Sequence, residues 1–103
     1  MTLQQAYLNV AATQPTSEDV KRRLDRAYDI ARSNSEGYVI QWPTRAGQPW
    51  LIYKASTSLL EDTSVTYSVD SQSCTCPDFE NARGNQCKHR LAVAMIKEMA
   101  RDA

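Results

Sequence analysis

Between Ser17 and Asn34 apolar side chains recur at Val20, Leu24, Ala27, Tyr28 and Ala31, three and four positions apart, the period of a helix that turns one face to a core. The spacing predicts a helix over residues 17–34. Thr16 or Ser17 supplies its N-cap, and Glu18 and Asp19 fall in the first turn, where the helix dipole favours negative charge. A shorter helix is predicted over residues 2–12. There Leu3, Ala6, Tyr7, Val10 and Ala11 repeat at the same period, and Thr2 with Gln5 forms a capping-box pair. With few large apolar groups, this first helix is expected to dock on the chain's own core. Pro15-Thr16-Ser17 separates the two.

After Ser35-Glu36-Gly37 the period becomes two. Tyr38, Ile40 and Trp42 point one way and Val39 and Gln41 the other, which predicts a strand over residues 37–42. Pro43 to Pro49, with Gly47 inside, reads as a loop exposing Arg45. Trp50 to Ala55 reads as a second strand, paired antiparallel with the first. Residues 56–63 form a connection with a helical turn around Leu59 and Leu60. Val65, Tyr67 and Val69 then alternate with Thr66, Ser68 and Asp70 as a third strand, and the segment Asp70 to Ser73 turns the chain toward a returning strand. Tyr38, Trp42, Trp50, Tyr53 and Tyr67 are expected as core and cross-strand partners rather than base-stacking platforms, because they hold regular strand positions in a chain with a single Phe. Trp50, on the opposite face from Tyr53, is the one to check for exposure. A last helix is predicted over residues 88–101. Leu91 to Ile96 is apolar without a break, so this helix should be buried on more than one side, with Met99 continuing the stripe of Ala92, Met95 and Ile96.

The architecture expected is α+β in one domain, residues 1–103: a helical part over 1–35, a hairpin and connection over 36–63, and a C-terminal module over 64–103. Twelve acidic and twelve basic residues give a net charge of zero, so nothing global announces a nucleic-acid binder. Even the run Lys21-Arg22-Arg23 with Arg26 reads as a solvated face, because Glu18 precedes Arg22 and Asp19 precedes Arg23 by four, the favourable order for pairing. No long apolar run suggests a membrane span and no signal-peptide pattern follows Met1. An intracellular location, cytoplasmic or nucleoid or nuclear, is expected.

The returning strand changes the picture. All three cysteines and the only histidine fall between Cys74 and His89, as Cys74-x-Cys76 and Cys87-x-His89 with ten residues between the pairs. Residues i and i+2 of an extended segment project to one side, so Cys74 and Cys76 reach a single ion. Cys87 and His89 do the same where the cysteine precedes a first helical turn and the histidine lies within it. Pro77 suits the exit from the first pair, Gly84-Asn85 a turn, and Asn85 the N-cap of the last helix. Thiolate and imidazole together point to one tetrahedral, structural Zn²⁺. An odd cysteine count argues against a disulfide framework, and a redox pair at Cys74 and Cys76 leaves Cys87 and His89 without a role.

Catalysis is not expected. Four protein ligands leave no position for an activated water, no second histidine is available as a base, and the zinc-deaminase pattern is absent. Asp78 and Glu80 are read as capping or hydrogen-bonding groups of the loop.

The run Cys74-Thr-Cys76-Pro77-Asp78-Phe79, followed by Cys87-Lys88-His89 and Leu91-Ala92, resembles the SWIM zinc finger, whose pattern is CxC, a variable loop, then CxH. The resemblance spans roughly Ser64 to Met99. It implies a β-hairpin feeding a helix, a ββα module, with Cys74, Cys76, Cys87 and His89 as zinc ligands. The family occurs in chromatin-remodelling ATPases, transposase-related proteins, a ubiquitin-ligase-like kinase and recombination mediators, where it is regarded as a DNA-binding or protein-binding module. Two partner classes follow. One is nucleic acid, contacted by Arg83, Lys88, Arg90, Lys97 and Arg101, although Lys88 and Arg90 also suit the role of neutralising an anionic zinc–thiolate centre. The other is a protein held by apolar surface on the last or the first helix, around Met99 or Tyr7. Neither a membrane nor a small-molecule substrate is expected.

Overall fold

The computed structural model describes residues 1–32, 38–45, 47–54, 66–70, 73–76, 79 and 86–101. The turn around Leu59 and Leu60, Val65, Pro77, Asp78, Glu80, Arg83, the Gly84-Asn85 turn and the side chain of Tyr38 lie outside them. Helix α1 spans Leu3–Ala11, and its capping box is closed from both sides: Gln5 N–H donates to Thr2 Oγ1 at 3.1 Å and Thr2 N–H to Gln5 Oε1 at 3.0 Å. Ala6 and Val10 face the core. Helix α2 spans Glu18–Ala31 from an N-cap at Ser17. The Ser17 hydroxyl caps no backbone group. It donates instead to Asp19 Oδ1 at 2.6 Å, and Asp19 Oδ2 accepts from Arg23 at 3.1 Å, the expected i,i+4 pair.

The buried stripe of α2 is Val20, Leu24, Ala27 and Ile30, with Tyr28 and Ala31 only partly covered. Ile30 lies outside the predicted stripe. It is buried because α2 packs against both α1 and a third helix, which widens the covered arc beyond one narrow line. Tyr28 lies at the α1 flank, where its ring meets Tyr7 edge-to-face at 5.7 Å. The Tyr7 hydroxyl donates to Asp25 Oδ1 at 2.7 Å. Tyr7, a candidate docking residue, is therefore engaged in joining α1 to α2, and the carboxylate acceptor holds the phenol above its ordinary pKa, helped by partial burial.

Strands β1 (Tyr38–Gln41), β2 (Trp50–Lys54) and β3 (Thr66–Val69) form an antiparallel sheet in the order β1-β2-β3. Ile40 pairs with Ile52 and Ile52 with Tyr67, and Trp50 pairs with Val69, so these side chains share the inner face. Ile52 and Val69 are almost wholly buried. Trp50, the one to check, is in the core as expected at 6% exposed, whereas Trp42, also expected there, is 50% exposed. β1 ends at Gln41 because Pro43 has no N–H to continue the ladder. Trp42 falls just past the paired region and lies against Trp50, with ring centroids 4.4 Å apart.

After β3 the chain turns at Asp70, whose carboxylate accepts from Ser73 N–H at 2.6 Å and from the Ser73 hydroxyl at 2.9 Å. The expected returning strand is a single bridge, Val69 to Cys74. It stops there because the Thr75 hydroxyl, rather than a backbone carbonyl, accepts from Ser68 N–H at 3.0 Å. Helix α3 spans Lys88–Arg101 and packs on α1, α2 and β3. Covered from both layers, it buries His89, Leu91, Ala92, Val93 and Met95, which accounts for the unbroken apolar run. The molecule is α+β, with three helices and a small antiparallel sheet among the described residues. Among the described residues, no helix is long and apolar enough to cross a membrane.

Candidate metal centre

Two local structures deliver the four ligands. The turn at Asp70–Ser73 and the bridge to Val69 fix Cys74 beside the end of β3, and Phe79 N–H donates to Cys76 C=O at 3.3 Å as the chain leaves the first pair. At the second pair, Cys87 C=O accepts from Leu91 N–H at 3.0 Å. Cys87 thus holds the N-cap position expected for Asn85, and His89 lies in the first turn of α3. The cysteine-before-helix arrangement is the one expected; only the cap differs. A ligand at the cap has a physical advantage, since the thiolate sits at the positive end of the helix dipole.

All four side chains are buried, and their ligand atoms lie within 4.8 Å of one another. Cys74 Sγ and His89 Nδ1 are 3.8 Å apart. In a tetrahedral complex with Zn–S near 2.3 Å and Zn–N near 2.0 Å, a sulfur and a nitrogen stand about 3.5 Å apart and two sulfurs about 3.8 Å. The Cys74–His89 separation is close to that value, and a contraction of at most about 1 Å brings the other ligand atoms to zinc-bound distances. Cys74, Cys76, Cys87 and His89 are positioned to bind one zinc ion, with Nδ1 the imidazole nitrogen turned toward the thiols. When bound, zinc supplies a cross-link between the segment after β3 and the start of α3.

Tyr67 on β3 stacks against the His89 ring, with centroids 4.5 Å apart and planes at 35°. It holds the imidazole orientation in the way outer partners of a metal ligand do. The sequence placed Tyr67 on the inner face of a strand, but nothing in its spacing connected it to His89, which comes from a different element. The thiols also share charge. A hydrogen bond to Cys87 pushes the Cys74 thiol well up, with burial adding to it. The same bond from Cys74 lowers Cys87 to about 4, against burial and with help from His89 and the Arg90 backbone N–H. Zinc takes thiolates, so binding must expel the proton that Cys74 keeps at neutral pH. Acid therefore favours the metal-free form. Zinc affinity measured by competition with a chromophoric chelator is expected to fall at least tenfold for each unit of pH below neutrality.

The described basic residues of α3 do not all face one way. At about 100° per residue, Arg90, Lys97 and Arg101 lie within about 40° of one another on α3, whereas Lys88 is about 160° from Arg90. Lys88 and Arg90 are half-buried, and the Arg90 guanidinium carbon lies 6.0 Å from the Phe79 ring centroid. Lys97 is exposed, its Nζ 6.0 Å from the Trp50 ring centroid. Arg101 is 78% exposed and pairs with Glu98 at 3.1 Å. Arg83 lies outside the described residues. A groove of about 490 Å³ is lined by Ala31, Val39, Ile40, Trp42, Ile96, Met99 and Ala100. Sequence reasoning pointed to Met99 but not to this groove, whose walls come from three separate elements. Pro43 after Trp42 was the available signal.

Residues 57–97 match the family model of the SWIM zinc finger, and its CxC and CxH positions are the four residues of the buried cluster. No curated protein and no solved structure is similar enough to count as a match.

Proposed function

We propose that this chain, whose residues 57–97 match the SWIM zinc-finger model, is a non-catalytic nucleic-acid-binding module in which zinc anchors α3 and α3 presents Arg90, Lys97 and Arg101 along one edge. The observation that carries this reading is the alignment of those three cations on a helix whose start holds two zinc ligands. A helix fixed at one end presents its edge without the entropic cost of ordering a free segment. The Arg101–Glu98 pair is at the surface, where such pairs contribute little, so a phosphate can replace the carboxylate. Against catalysis stands the chemistry of the donor set: three thiolates and an imidazole complete a tetrahedral ion and leave no site for water.

Three phosphate contacts give a log affinity that falls with log salt at a slope of about −2 to −3. Binding of the zinc-loaded protein to single-stranded and duplex DNA and RNA, measured by fluorescence anisotropy across a salt series, is expected to show that slope. Lys97→Glu/Arg101→Glu, both at exposed positions, is expected to abolish binding while zinc content stays at one per chain. Salt-independent binding, or binding untouched by the double change, would overturn the reading. A protein adaptor is the competing reading, favoured by the exposed Trp42 and Met99 beside the groove. Failure of zinc-loaded, folded protein to bind any nucleic acid at low salt would favour it.

A further inference from the structure

Trp42 is an exposed aromatic ring whose position is nevertheless fixed. Half its surface is open, yet it packs at 4.4 Å on Trp50, which is itself buried between the sheet and α3. An exposed tryptophan held by a buried one loses little rotamer freedom when a ligand covers it. Lys97 lies against the same aromatic pair, its Nζ near the Trp50 ring, and Arg101 follows one helical turn on. The place therefore combines a rigid, open π-face with cations one ring away. Beneath the ring, Val39, Ile40, Ile96 and Met99 line the groove with apolar surface, and none of these side chains carries a hydrogen-bond donor or a strong acceptor.

Resting on the nucleic-acid reading above, we propose that this place is a base-stacking site for single-stranded nucleic acid: one unpaired base covers Trp42 and enters the mouth of the groove, and the flanking phosphates meet Lys97 and Arg101. A phosphate and its base belong to the same short repeat, which is the juxtaposition of charge and apolar plane that Lys97 and Trp42 offer. A base paired within a duplex cannot present its face to Trp42, so the site selects single strands. Because the aliphatic walls formed by Val39, Ile40, Ile96 and Met99 offer base edges no hydrogen bonds, and the Trp42 indole N–H is the single side-chain donor among the described lining residues, the edges are little read and all four bases are accepted, with preferences set mainly by stacking strength. An acidic peptide could satisfy Lys97 and Arg101 as well, so the test separates the two.

The zinc-loaded chain is titrated at low salt with a thymidine homopolymer, an adenosine homopolymer and a duplex of the same length, following intrinsic tryptophan fluorescence and, in parallel, anisotropy of labelled strands. Both single strands are expected to quench the emission and to bind more tightly than the duplex. Trp42→Ala is expected to remove most of the quenching and weaken single-strand binding about tenfold or more, Trp42→Phe to restore much of the affinity, and the duplex affinity to stay unchanged in both. Zinc content and the thermal transition of each variant establish that it is folded. Equal binding of duplex and single strand with no effect of Trp42→Ala would overturn the stacking site and leave the basic edge of α3 standing. No binding of any strand by folded, one-zinc protein would overturn both and give the groove to a protein ligand.

Discussion

Stripping zinc from this protein is expected to unfold it. α3 places five of its fourteen residues in the core, among them His89, and it is the element against which α1, α2 and β3 all pack. Among the described residues, the four ligands and the packing around them join the first turn of α3 to the bridge at Cys74. A structural zinc site contributes about 10 to 16 kcal/mol of apparent binding free energy in finger peptides, as large as the roughly 5 to 15 kcal/mol of a whole domain. Without the ion, weak hydrogen bonds among the sulfurs and the imidazole are what remains to join the two segments at the cluster. Far-ultraviolet circular dichroism with and without a strong chelator checks this: loss of most helical signal and of the cooperative thermal transition is expected, with recovery on adding zinc. Cys87→Ser should behave as the chelated protein does at stoichiometric zinc. A native-like spectrum with an unchanged transition after verified metal removal would contradict it.

The metal centre was legible in the sequence because its ligands are local: two pairs with fixed internal spacing, each placed by a short-range device, a turn at one end and a helix start at the other. α3 was legible for a related reason, since an apolar run of six within a helical pattern requires cover on more than one side. The features that were not legible depend on what lies across from a residue rather than beside it in the chain. Trp50 and Trp42 both fit an alternating strand. Only the end of pairing at Gln41 and the position of α3 over Trp50 decide which is covered. Ile30 falls outside the predicted stripe of α2 and enters the core because two helices flank α2 instead of one. Likewise Lys88, Arg90, Lys97 and Arg101 lie close along the sequence, but helix geometry turns Lys88 away from the other three. No periodic signal in the sequence constrains the segment that carries Arg83 between the ligand pairs.

A second large effect is expected at Ile30, far from the ligands in sequence. It is 1% exposed in the core shared by α2 and α3, so Ile30→Ala removes methyl groups from a packed site and should lower stability by about 2 to 5 kcal/mol. We propose that residues 1–103 fold as one cooperative unit, and this substitution tests that. If the metal-free chain is unfolded and folding accompanies zinc binding, every kcal/mol removed from the helical layer is also removed from apparent zinc affinity. A loss of about 2 kcal/mol then weakens zinc binding about 30-fold, although Ile30 belongs to neither segment that carries the ligands. The measurement is a chelator-competition titration beside a thermal melt for Ile30→Ala and the parent. Parallel losses in both make α1 and α2 part of the folding unit that zinc completes. A lowered melt with unchanged zinc affinity would divide the chain into a helical layer and a zinc module that folds without it, and would restrict the role of zinc to the latter.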